Sequence, residues 1–442
     1  MKSSIKNDTI FLTALQLTTQ GLSLLLNLFV NRMLGTENLG LMSLIYAFFA
    51  FAIIISNGNI FIATSRFVAE ECGKKDGNPS RIFRYSILFS LILSITSAIL
   101  VYIFAEPVSV NIIKNADCTS SIKTLAFSLP PAALCSCIKG YFHAYRKVII
   151  PAVSELAEFI IKSAVMAVSA GYLIRNGSIT LYTAISTSII LGEACSLVFL
   201  IYFAVRHRHD KCTNKTRSFL QYIRCLFPVM LNSYIPCILS TANDALVPFT
   251  LKQSGCSTSQ ALSYYGIFEA VVLPVLFFPS MLLSCLSIIL IPEISKQRSE
   301  GNTIKNVSLI SNVISKTIIY SVFVTAVLMI FGKQIGMIAS GEPASGRMIS
   351  ILAPVVPFIY LEIVLEGIIK GLGKHSFSSV NYLAEYIIRI SALLISVPFI
   401  GFYGIAVSYY LSNIVCNTAR MILISKIYKT RFGLFGFTKS TA

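Results

Sequence analysis

The sequence predicts an all-α integral membrane protein of twelve transmembrane helices, arranged as two six-helix lobes. Three observations lead to this fold class. Apolar residues make up 55% of the 442 residues and charged residues only 12%, whereas about a quarter of the residues in a soluble domain are charged. The apolar residues fall in continuous runs of about 20, the length of a spanning helix, and not in the alternating segments of a β-barrel. One stretch of the chain also occurs twice.

The apolar runs follow one another along the whole chain. Their approximate centres are Leu22, Phe51, Leu93, Ala133, Lys162, Ile190, Leu231, Val275, Val322, Ile359, Ala392 and Ser412. The first run follows two lysines, as in a signal peptide, but it is too long for a signal h-region and lacks a small-x-small cleavage site. We therefore expect it to be retained as the first transmembrane helix.

Lysine and arginine residues orient the predicted bundle. The loops on one side of the membrane, counted alternately from the N-terminus, collect 24 of them, and the loops on the other side collect 7. Because basic loops stay in the cytoplasm, we expect a multi-pass protein of the cell membrane with both termini cytoplasmic. The net charge of +17 then serves orientation and contacts with anionic lipids, and we expect no nucleic-acid partner.

The repeated stretch divides the chain into halves. LAFSLPPAALCSCIKGYFHAYRKVIIPAVSELAEFIIK starts at Leu125, and its counterpart starts 227 positions later, at Leu352. Without a gap, Lys162 meets Arg389. An even number of spans separates the copies, so both have the same orientation in the membrane. The sequence therefore predicts two lobes related by a pseudo-twofold axis along the membrane normal.

The longest polar connection between spans lies between the sixth and the seventh. It is the basic stretch RHRHDKCTNKTRS at residues 206–218. We therefore predict an N-terminal six-helix lobe at residues 1–205, a cytoplasmic linker at 206–218 and a C-terminal six-helix lobe at 219–442.

Ionisable residues recur within these apolar runs. Glu155, Glu158 and Lys162 are spaced i, i+3 and i+7 and share one helical face. Glu385 and Arg389 repeat the last two positions. Other spans hold Glu193, Glu269, Lys316, Glu362, Glu366 and Arg420. Since a charge at the centre of the membrane costs about 2.5–3.5 kcal/mol, these side chains are expected to face protein or a polar cavity.

Two interpretations of these charges remain open. In the first, they line a polar cavity and contact a substrate or a coupling ion. In the second, Glu158–Lys162 and Glu385–Arg389 are intrahelical ion pairs of the scaffold. For Glu193 and Glu269, the alternative to a cavity is packing inside a lobe against hydrogen-bonding neighbours.

Motifs for catalysis and nucleotide binding are missing from the sequence. It has no Gly-rich P-loop, no HExxH, no paired CxxC and no Ser/His/Asp set that can be placed together. We therefore expect neither an enzyme nor a cofactor or metal site. Any pumping would have to use an ion gradient, the membrane potential or the gradient of the substrate.

Several stretches resemble a known group of transporters. FVNRMLGTENLGLMSLIYAF (29–48) resembles the R-x-L-G-x-E-x-x-G start of polysaccharide exporters. IATSRFVAEE (62–71) resembles their A-x-S-R-x-V-A-E signature, and IPEISKQRSEGN (291–302) is similar to its second-lobe counterpart. GYFHAYRKVIIPAVSELAEFIIK (140–162) resembles spans four and five of the stage V sporulation protein B-like branch. Over essentially its whole length, the chain resembles the polysaccharide branch of the multidrug/oligosaccharidyl-lipid/polysaccharide exporter superfamily.

The resemblance implies a V-shaped bundle, like that of the multidrug exporters, which works by alternating access. It implies a flippase for polyprenyl-pyrophosphate-linked saccharides, such as precursors of the cell wall or of a polysaccharide, and we expect a monomer. Basic side chains would neutralise the pyrophosphate, whereas acids would bind sugar hydroxyls or a coupling cation (Na⁺ or H⁺). The residues expected in these two roles are Arg32, Arg66, Lys162, Arg389 and Arg420, and Glu155, Glu158 and Glu385.

Two other functions are kept as alternatives. A cation-coupled multidrug exporter of the same superfamily would need an acidic, aromatic-lined cavity. An integral membrane saccharide polymerase or ligase would need a sizeable outer loop carrying Arg, His or acids, and the predicted outer loops are short.

Overall fold

The structure is a computed structural model. It describes residues 18–19, 21–23, 26, 36–72, 77–113, 115–116, 118–145, 147–173, 178–206, 219–300, 303–428, 430–433 and 436–439. Most of the first predicted span, and the predicted linker from residue 207 to 218, lie outside the described residues.

The described residues are almost entirely helical. In chain order the α-helices are α1 (Thr36–Asn57), α2 (Ile60–Cys72), α3 (Pro79–Pro107), α4 (Cys118–Ala126), α5 (Leu129–Ala144), α6 (Ile149–Leu173), α7 (Ser178–Arg206), α8 (Phe219–Gln253), α9 (Thr258–Ile267), α10 (Leu273–Phe277), α11 (Met281–Ser299), α12 (Thr303–Ser340), α13 (Pro343–Leu352), α14 (Val356–Gly371), α15 (His375–Ile400) and α16 (Phe402–Tyr428). Short π-helical turns occur at Val108–Ile113 and Phe268–Val272, and 3₁₀ turns at Phe278–Ser280 and Ala353–Val355.

The predicted all-α membrane class is confirmed. Each of the eleven predicted spans after the first is helical. Among the described residues, eight helices are long and apolar enough to cross a membrane. A small antiparallel hairpin, which the sequence did not predict, follows α16: β1 (Thr430–Gly433) pairs with β2 (Gly436–Lys439), with Thr430 opposite Lys439.

Helix α3 shows how these residues build a membrane helix. Its buried face carries small hydroxyl side chains at roughly every fourth position, Ser86, Ser90, Ser94 and Ser97. Its exposed face carries large apolar ones, Leu88, Ile92, Ile95, Ile99 and Ile103. Lipid solvates the apolar face as well as protein would, whereas small residues let helices approach closely. The apolar face therefore points outward, as expected for a helix that contacts lipid.

A helix break divides the second span. Gly58 and Asn59 both adopt positive φ, at 50° and 56°, so the chain leaves α1 and restarts as α2. A Cβ at Gly58 would lie 2.9 Å from the Leu93 side chain, and only glycine has neither that atom nor a steric penalty at this φ. Asn59 Nδ2 donates to Ser233 Oγ at 2.6 Å, which anchors the break to α8.

The described residues form two compact units. The first unit contains residues 18–26 and 44–241, and the second contains residues 36–43 and 242–439, the gaps in the described residues aside. The division falls inside α8, because the first part of that helix packs on the first unit: Tyr222 bonds Ser86 at 2.8 Å and Tyr234 bonds the Ile55 carbonyl at 2.9 Å. The predicted division at the 206–218 linker stays a prediction, and residues 219–241 pack with the first unit.

The helix bounds repeat at the offset seen in the sequence. Adding 227 to the bounds of α5 (129–144) gives 356–371, the bounds of α14. Each of these helices has proline as its second residue, where a missing N–H costs nothing. Each also has a glycine in close contact with a neighbouring helix. A Cβ at Gly140 would meet the Phe61 carbonyl oxygen at 2.5 Å, and one at Gly367 would meet Ser287 Oγ at 2.1 Å.

Candidate functional site

Ionisable side chains gather in one cluster in each unit. The first cluster, on α5, α6 and α7, consists of Lys139, Glu155, Glu158, Lys162 and Glu193. The second cluster, on α14, α15 and α16, consists of Glu362, Glu366, Glu385, Arg389 and Arg420. Each cluster has three acids and two bases. Charges inside a membrane helix bundle are costly and mark candidate functional sites by default.

In the first cluster, a lysine from α5 lies between two acids of α6. Lys139 Nζ is 3.4 Å from Glu155 Oε1 and 3.8 Å from Glu158 Oε2. The exposed fraction of the side chain is 15% for Lys139, 19% for Glu158 and 54% for Glu155. The carboxylates are therefore paired with a base and also accessible to a ligand.

The scaffold interpretation of the sequence included an intrahelical ion pair between Glu158 and Lys162, and this part of it is wrong. Among the described residues, the ion pair of Glu158 is with Lys139 on the neighbouring helix. Lys162 instead faces α7, where it interacts electrostatically with Glu193. An interhelical partner from α5 thus replaces the partner that the i, i+4 spacing offered.

Glycine brings α7 close to this cluster. A Cβ at Gly192 would lie 3.1 Å from the Glu158 carbonyl oxygen and 3.4 Å from the Lys162 Cβ. The absence of a side chain at 192 places the next residue, Glu193, within electrostatic range of Lys139 and Lys162. The Cys135 thiol of α5 donates to the Glu193 carbonyl oxygen at 3.7 Å, so three helices meet at this point.

The second cluster is closed and centred on Arg420. Its guanidinium lies 3.4 Å from Glu362, 3.4 Å from Glu385 and 3.6 Å from Glu366. Glu385 also pairs with Arg389, as the i, i+4 spacing predicted. Only 1% of the Arg420 side chain, 3% of Glu385 and 10% of Arg389 is exposed. Five charges are thus held together by mutual contacts. Arg420, Glu385 and Arg389 are shielded from solvent in this conformation, whereas 19% of the Glu362 side chain and 22% of Glu366 is exposed.

Neutral polar groups complete the second cluster. Arg389 Nε donates to Ser412 Oγ at 3.2 Å, and its guanidinium lies over the Tyr409 ring at 4.4 Å from the centroid. Arg420 Nη1 donates to Asn417 Oδ1 at 3.1 Å. At the edge of the cluster, Glu366 accepts from the Ser378 hydroxyl and pairs with Lys370 at 3.2 Å. Hydrogen bonds of this kind make a buried charge tolerable.

A further pair of acids extends the second cluster. Asp244 of α8 and Glu269 of the π-helical turn interact with each other, and both interact with Tyr409. Asn243 Nδ2 donates to Asp244 Oδ1 at 3.3 Å. Among the described residues, neither the hydroxyl of the fully buried Tyr265 nor Asn243 Oδ1 has a hydrogen-bond partner. We call Asp244, Glu269, Asn243 and Tyr265 the acidic pocket.

The π-helical turn explains where Glu269 points. A π turn holds more residues than an α turn and so rotates the side chains within it, and such turns are frequent at functional sites. The turn is followed by Pro274, whose ring cannot continue a regular α ladder. Glu269 is thereby placed near Asp244.

The structure brings together most of the residues that the sequence predicted for a site. Glu155, Glu158 and Lys162 are in the first cluster, and Glu385, Arg389 and Arg420 in the second. Arg66 lies apart on α2, with 65% of its side chain exposed and an ion pair to Glu70 at 2.9 Å. Arg32 lies outside the described residues.

Several members of these groups were not among the predicted site residues. Glu193, Glu269, Glu362 and Glu366 were noted only as charges within spans, and Lys139, Asp244, Asn243 and Tyr265 were not singled out. Lys139 was counted with the loops facing the cytoplasm, but it lies inside α5 and its charge points into the first cluster. Asp244 was not considered, because it stands near the end of an otherwise ordinary apolar helix. The repeat offset could have indicated Lys139, since the position 227 residues later is Glu366.

Comparison with known proteins identifies solved structures with a similar helical membrane fold and a family to which the chain belongs. The chain is 20% identical over 441 residues to stage V sporulation protein B of Bacillus subtilis (strain 168), covering 96% of this chain and 84% of the relative. An inward-facing multidrug resistance MATE family transporter of the MOP superfamily matches with a TM-score of 0.70 and 14% identity, over 93% of this chain and 94% of the other.

The lipid II flippase MurJ in an inward closed conformation matches with a TM-score of 0.68 and 13% identity, over 94% of this chain and 87% of the other. The chain therefore has the MATE-like helical membrane fold. Residues 5–298, more than half of the chain, match the model of the family described as "Polysaccharide biosynthesis protein". The chain belongs to the polysaccharide biosynthesis protein family.

Proposed function

We propose that this protein is a flippase that moves a polyprenyl-pyrophosphate-linked saccharide, a precursor of cell wall or polysaccharide, across the cell membrane by alternating access. The observation that carries the proposal is the first cluster: partly exposed acids and lysines on three packed apolar helices. The family and the names of the relatives, a sporulation protein and a lipid II flippase, support the same substrate class.

The first cluster suits the headgroup of such a lipid. Carboxylates accept hydrogen bonds from sugar hydroxyls, and Glu155 and Glu158 offer accessible carboxylates. Lys162 supplies positive charge for the pyrophosphate. The pyrophosphate contacts expected of Arg32 and Arg66 stay predictions, since neither is placed in the first cluster. The polyprenyl tail stays in lipid. We propose translocation without chemical change to the substrate and without a cofactor.

The second cluster and the acidic pocket suit a coupling cation. Asp244 and Glu269 lie together in an apolar surrounding, where two negative charges repel strongly unless a proton or a cation joins them. The Tyr265 hydroxyl and Asn243 Oδ1 are oxygens that lack a partner in the described residues, and Na⁺ is a hard cation that takes oxygen ligands. We propose that Na⁺ or H⁺ occupies this pocket, with Arg389 as the nearby fixed charge.

The cation proposal predicts a change in ion dependence. Replacing Asp244 with asparagine removes one negative charge and keeps the shape, so we expect transport to lose its response to an imposed Na⁺ or H⁺ gradient. The measurement is headgroup flipping in proteoliposomes with and without each gradient. Glu293→Gln is the control, because its carboxylate is exposed and, in the part of the chain that the structure describes, accepts from Gln297 of the same helix. An unchanged gradient response in Asp244→Asn would contradict the cation assignment.

Reconstitution tests the proposed function itself. Purified protein in proteoliposomes is supplied with defined polyprenyl-pyrophosphate-linked saccharides, and the headgroup that reaches the opposite leaflet is modified by an impermeant reagent. We expect faster flipping than in protein-free vesicles, and competition by the same saccharide lipid. Absence of flipping for every saccharide lipid tested, under each ion gradient, would contradict the proposal.

One observation favours a second function, export of cationic drugs. The acidic pocket includes Tyr265 and interacts with a second tyrosine, Tyr409, and acids with aromatic rings bind organic cations. The two functions differ in the cargo, so the same vesicles loaded with a fluorescent organic cation distinguish them. Cation efflux without saccharide flipping would favour the drug exporter.

The proposed orientation places both termini and the 206–218 linker in the cytoplasm of a monomeric protein. It rests on the distribution of basic residues along the sequence. Single cysteines introduced into a background without the native ones, at Lys439, within the linker and at Lys252, check this orientation. Impermeant thiol reagents added outside the cell should label only the cysteine at position 252, and labelling of the linker from outside would reverse the topology.

A further inference from the structure

The repeat offset of 227 relates the two clusters residue by residue. It pairs the following four positions: Lys139 with Glu366, Glu158 with Glu385, Lys162 with Arg389, and Glu193 with Arg420. All four are charged in both units. The two on the middle helix keep their signs. The two on the outer helices have exchanged them, so that the base is on the first helix in one unit and on the third helix in the other.

The contacts follow this exchange. In the first unit, the central acid Glu158 takes its interhelical cation from the preceding helix, with Lys139 at 3.8 Å. In the second unit, the equivalent Glu385 takes its interhelical cation from the following helix, with Arg420 at 3.4 Å. The same acid position is therefore neutralised from opposite sides.

Each of these cations lies on one outer helix of its unit and also interacts with the acid on the other outer helix. Arg420 lies 3.6 Å from Glu366 on α14. Lys139 interacts electrostatically with Glu193 on α7. In both units one cation thus interacts with two acids that belong to the two other helices. Arg420 has an ion pair with each of its acids, whereas Lys139 has an ion pair with Glu158 and a weaker electrostatic interaction with Glu193. We call this arrangement the three-helix bridge; its members are Lys139, Glu158 and Glu193 in the first unit and Glu366, Glu385 and Arg420 in the second.

The two bridges differ in strength and access. The Arg420 side chain is buried, and its planar guanidinium group makes several hydrogen bonds. Lys139 offers a single ammonium group at 3.4–3.8 Å from its acids and remains partly exposed. A polar ligand can therefore displace the ammonium group of the first bridge more easily than the guanidinium of the second.

We infer that Lys139 and Glu193 are positioning residues of the transport site, and that they hold Glu158 and Lys162 in place through a three-helix bridge that is the charge-exchanged counterpart of the one around Arg420. This inference rests on the proposed function, because it takes the first cluster as the headgroup site. Lys139 Nζ lies 3.8 Å from Glu158 Oε2, and Glu193 interacts electrostatically with Lys162 across the close contact at Gly192. Neither needs to touch the substrate to determine its affinity.

Exchanging the charges of the first unit tests the inference. The double variant Lys139→Glu with Glu193→Arg gives the first unit the arrangement of the second. We expect each single change to lower flipping by about tenfold or more, the effect typical of strong coupling between contacting residues, and the double variant to recover most of it. The measurements are the flipping rate per folded protein, the saccharide-lipid concentration at half-maximal rate, and the melting temperature.

The milder change Lys139→Met keeps the test decisive if a single charge reversal prevents folding. It should fold with a smaller loss of melting temperature than Lys139→Glu and should raise the half-saturating concentration of saccharide lipid, whereas Lys139→Arg should restore both. A Lys139→Met protein with wild-type saturation would overturn the inference. So would a double exchange variant no better than its worse single parent in both flipping and melting temperature.

The second unit supplies a matched control. Glu366→Lys with Arg420→Glu gives it the arrangement of the first unit, and we expect recovery of the melting temperature relative to either single change. The melting temperatures are measured without substrate, so they report charge coupling even if the protein flips no saccharide lipid. If the single changes are coupled in melting temperature in both units but no flipping is found, the proposed function is contradicted and the three-helix bridges are supported. If the effects of the single changes on the melting temperature add up in both units, the three-helix bridges are contradicted.

Discussion

Replacing Arg420 with methionine is expected to lower the free energy of unfolding by about 3–5 kcal/mol, the cost typical of removing one partner from a buried ion pair. The side chain is 1% exposed and faces three carboxylates. Methionine fills similar space and leaves those acids without their shared cation. The loss is measured as a lower melting temperature in detergent and a smaller amount of protein in the membrane.

Arg66→Met is the matched control for this change. The same atoms are removed, but the Arg66 side chain is 65% exposed and has one ion pair, and exposed pairs are worth only about 0–1 kcal/mol. A second variant separates charge from packing. Glu362 has its ion pair with Arg420, so Arg420→Met with Glu362→Gln should recover part of the stability. A double variant as unstable as Arg420→Met alone would show that packing, and not unpaired charge, causes the loss.

The second large effect is expected from the middle helix of the first cluster. The double change Glu158→Leu with Lys162→Met removes an acid and a base together, and apolar replacement of a balanced set of buried charges is often neutral for stability. We expect near-normal protein levels and a loss of flipping of roughly tenfold or more, because a hydrogen bond to a charged group is worth about 1.5–3 kcal/mol. Flipping in proteoliposomes and melting temperature are measured on the same preparation.

The equivalent change in the second unit, Glu385→Leu with Arg389→Met, is the comparison. These side chains are only 3% and 10% exposed, so we expect normal levels and retained flipping. Retained flipping in both double variants would assign both pairs to the scaffold. Loss of flipping in both, with normal levels, would show that the Glu385–Arg389 pair also serves transport.

The membrane class and the positions of most spans could be predicted from the sequence, because lipid imposes a simple rule on a helix. Helix α3 is readable as a span from its long run of Leu, Ile and Phe. The break at Gly58 was not predicted. The sequence did carry a signal, since residues 57–59 are Asn-Gly-Asn and Asn-Gly is typical of turns. The contacts with α3 and α8 show how the chain turns there.

The candidate site was predicted in part, for a physical reason. Spacing along one helix shows which residues share a face, and this predicted the Glu385–Arg389 pair. It does not show which neighbouring helix supplies a closer partner. Lys139 therefore took the place expected for Lys162 beside Glu158. Asp244 and Glu269 lie on different segments, and their proximity depends on a π-helical turn that has no sequence signature.

The bounds of α5 and α14 coincide after the offset of 227, and this limits the sequence changes that such a chain can accept during evolution. One inserted residue would rotate every following side chain by about 100° and move it by about 1.5 Å along the helix axis. That would take Gly140 out of its contact with the Phe61 carbonyl and Lys139 away from its acids in a single step. Two substitutions that exchange the charges of two helices leave the glycine contact and the pairing of opposite charges in place. The length of these helices is thus kept in both halves, whereas a positive and a negative residue can exchange places between two helices.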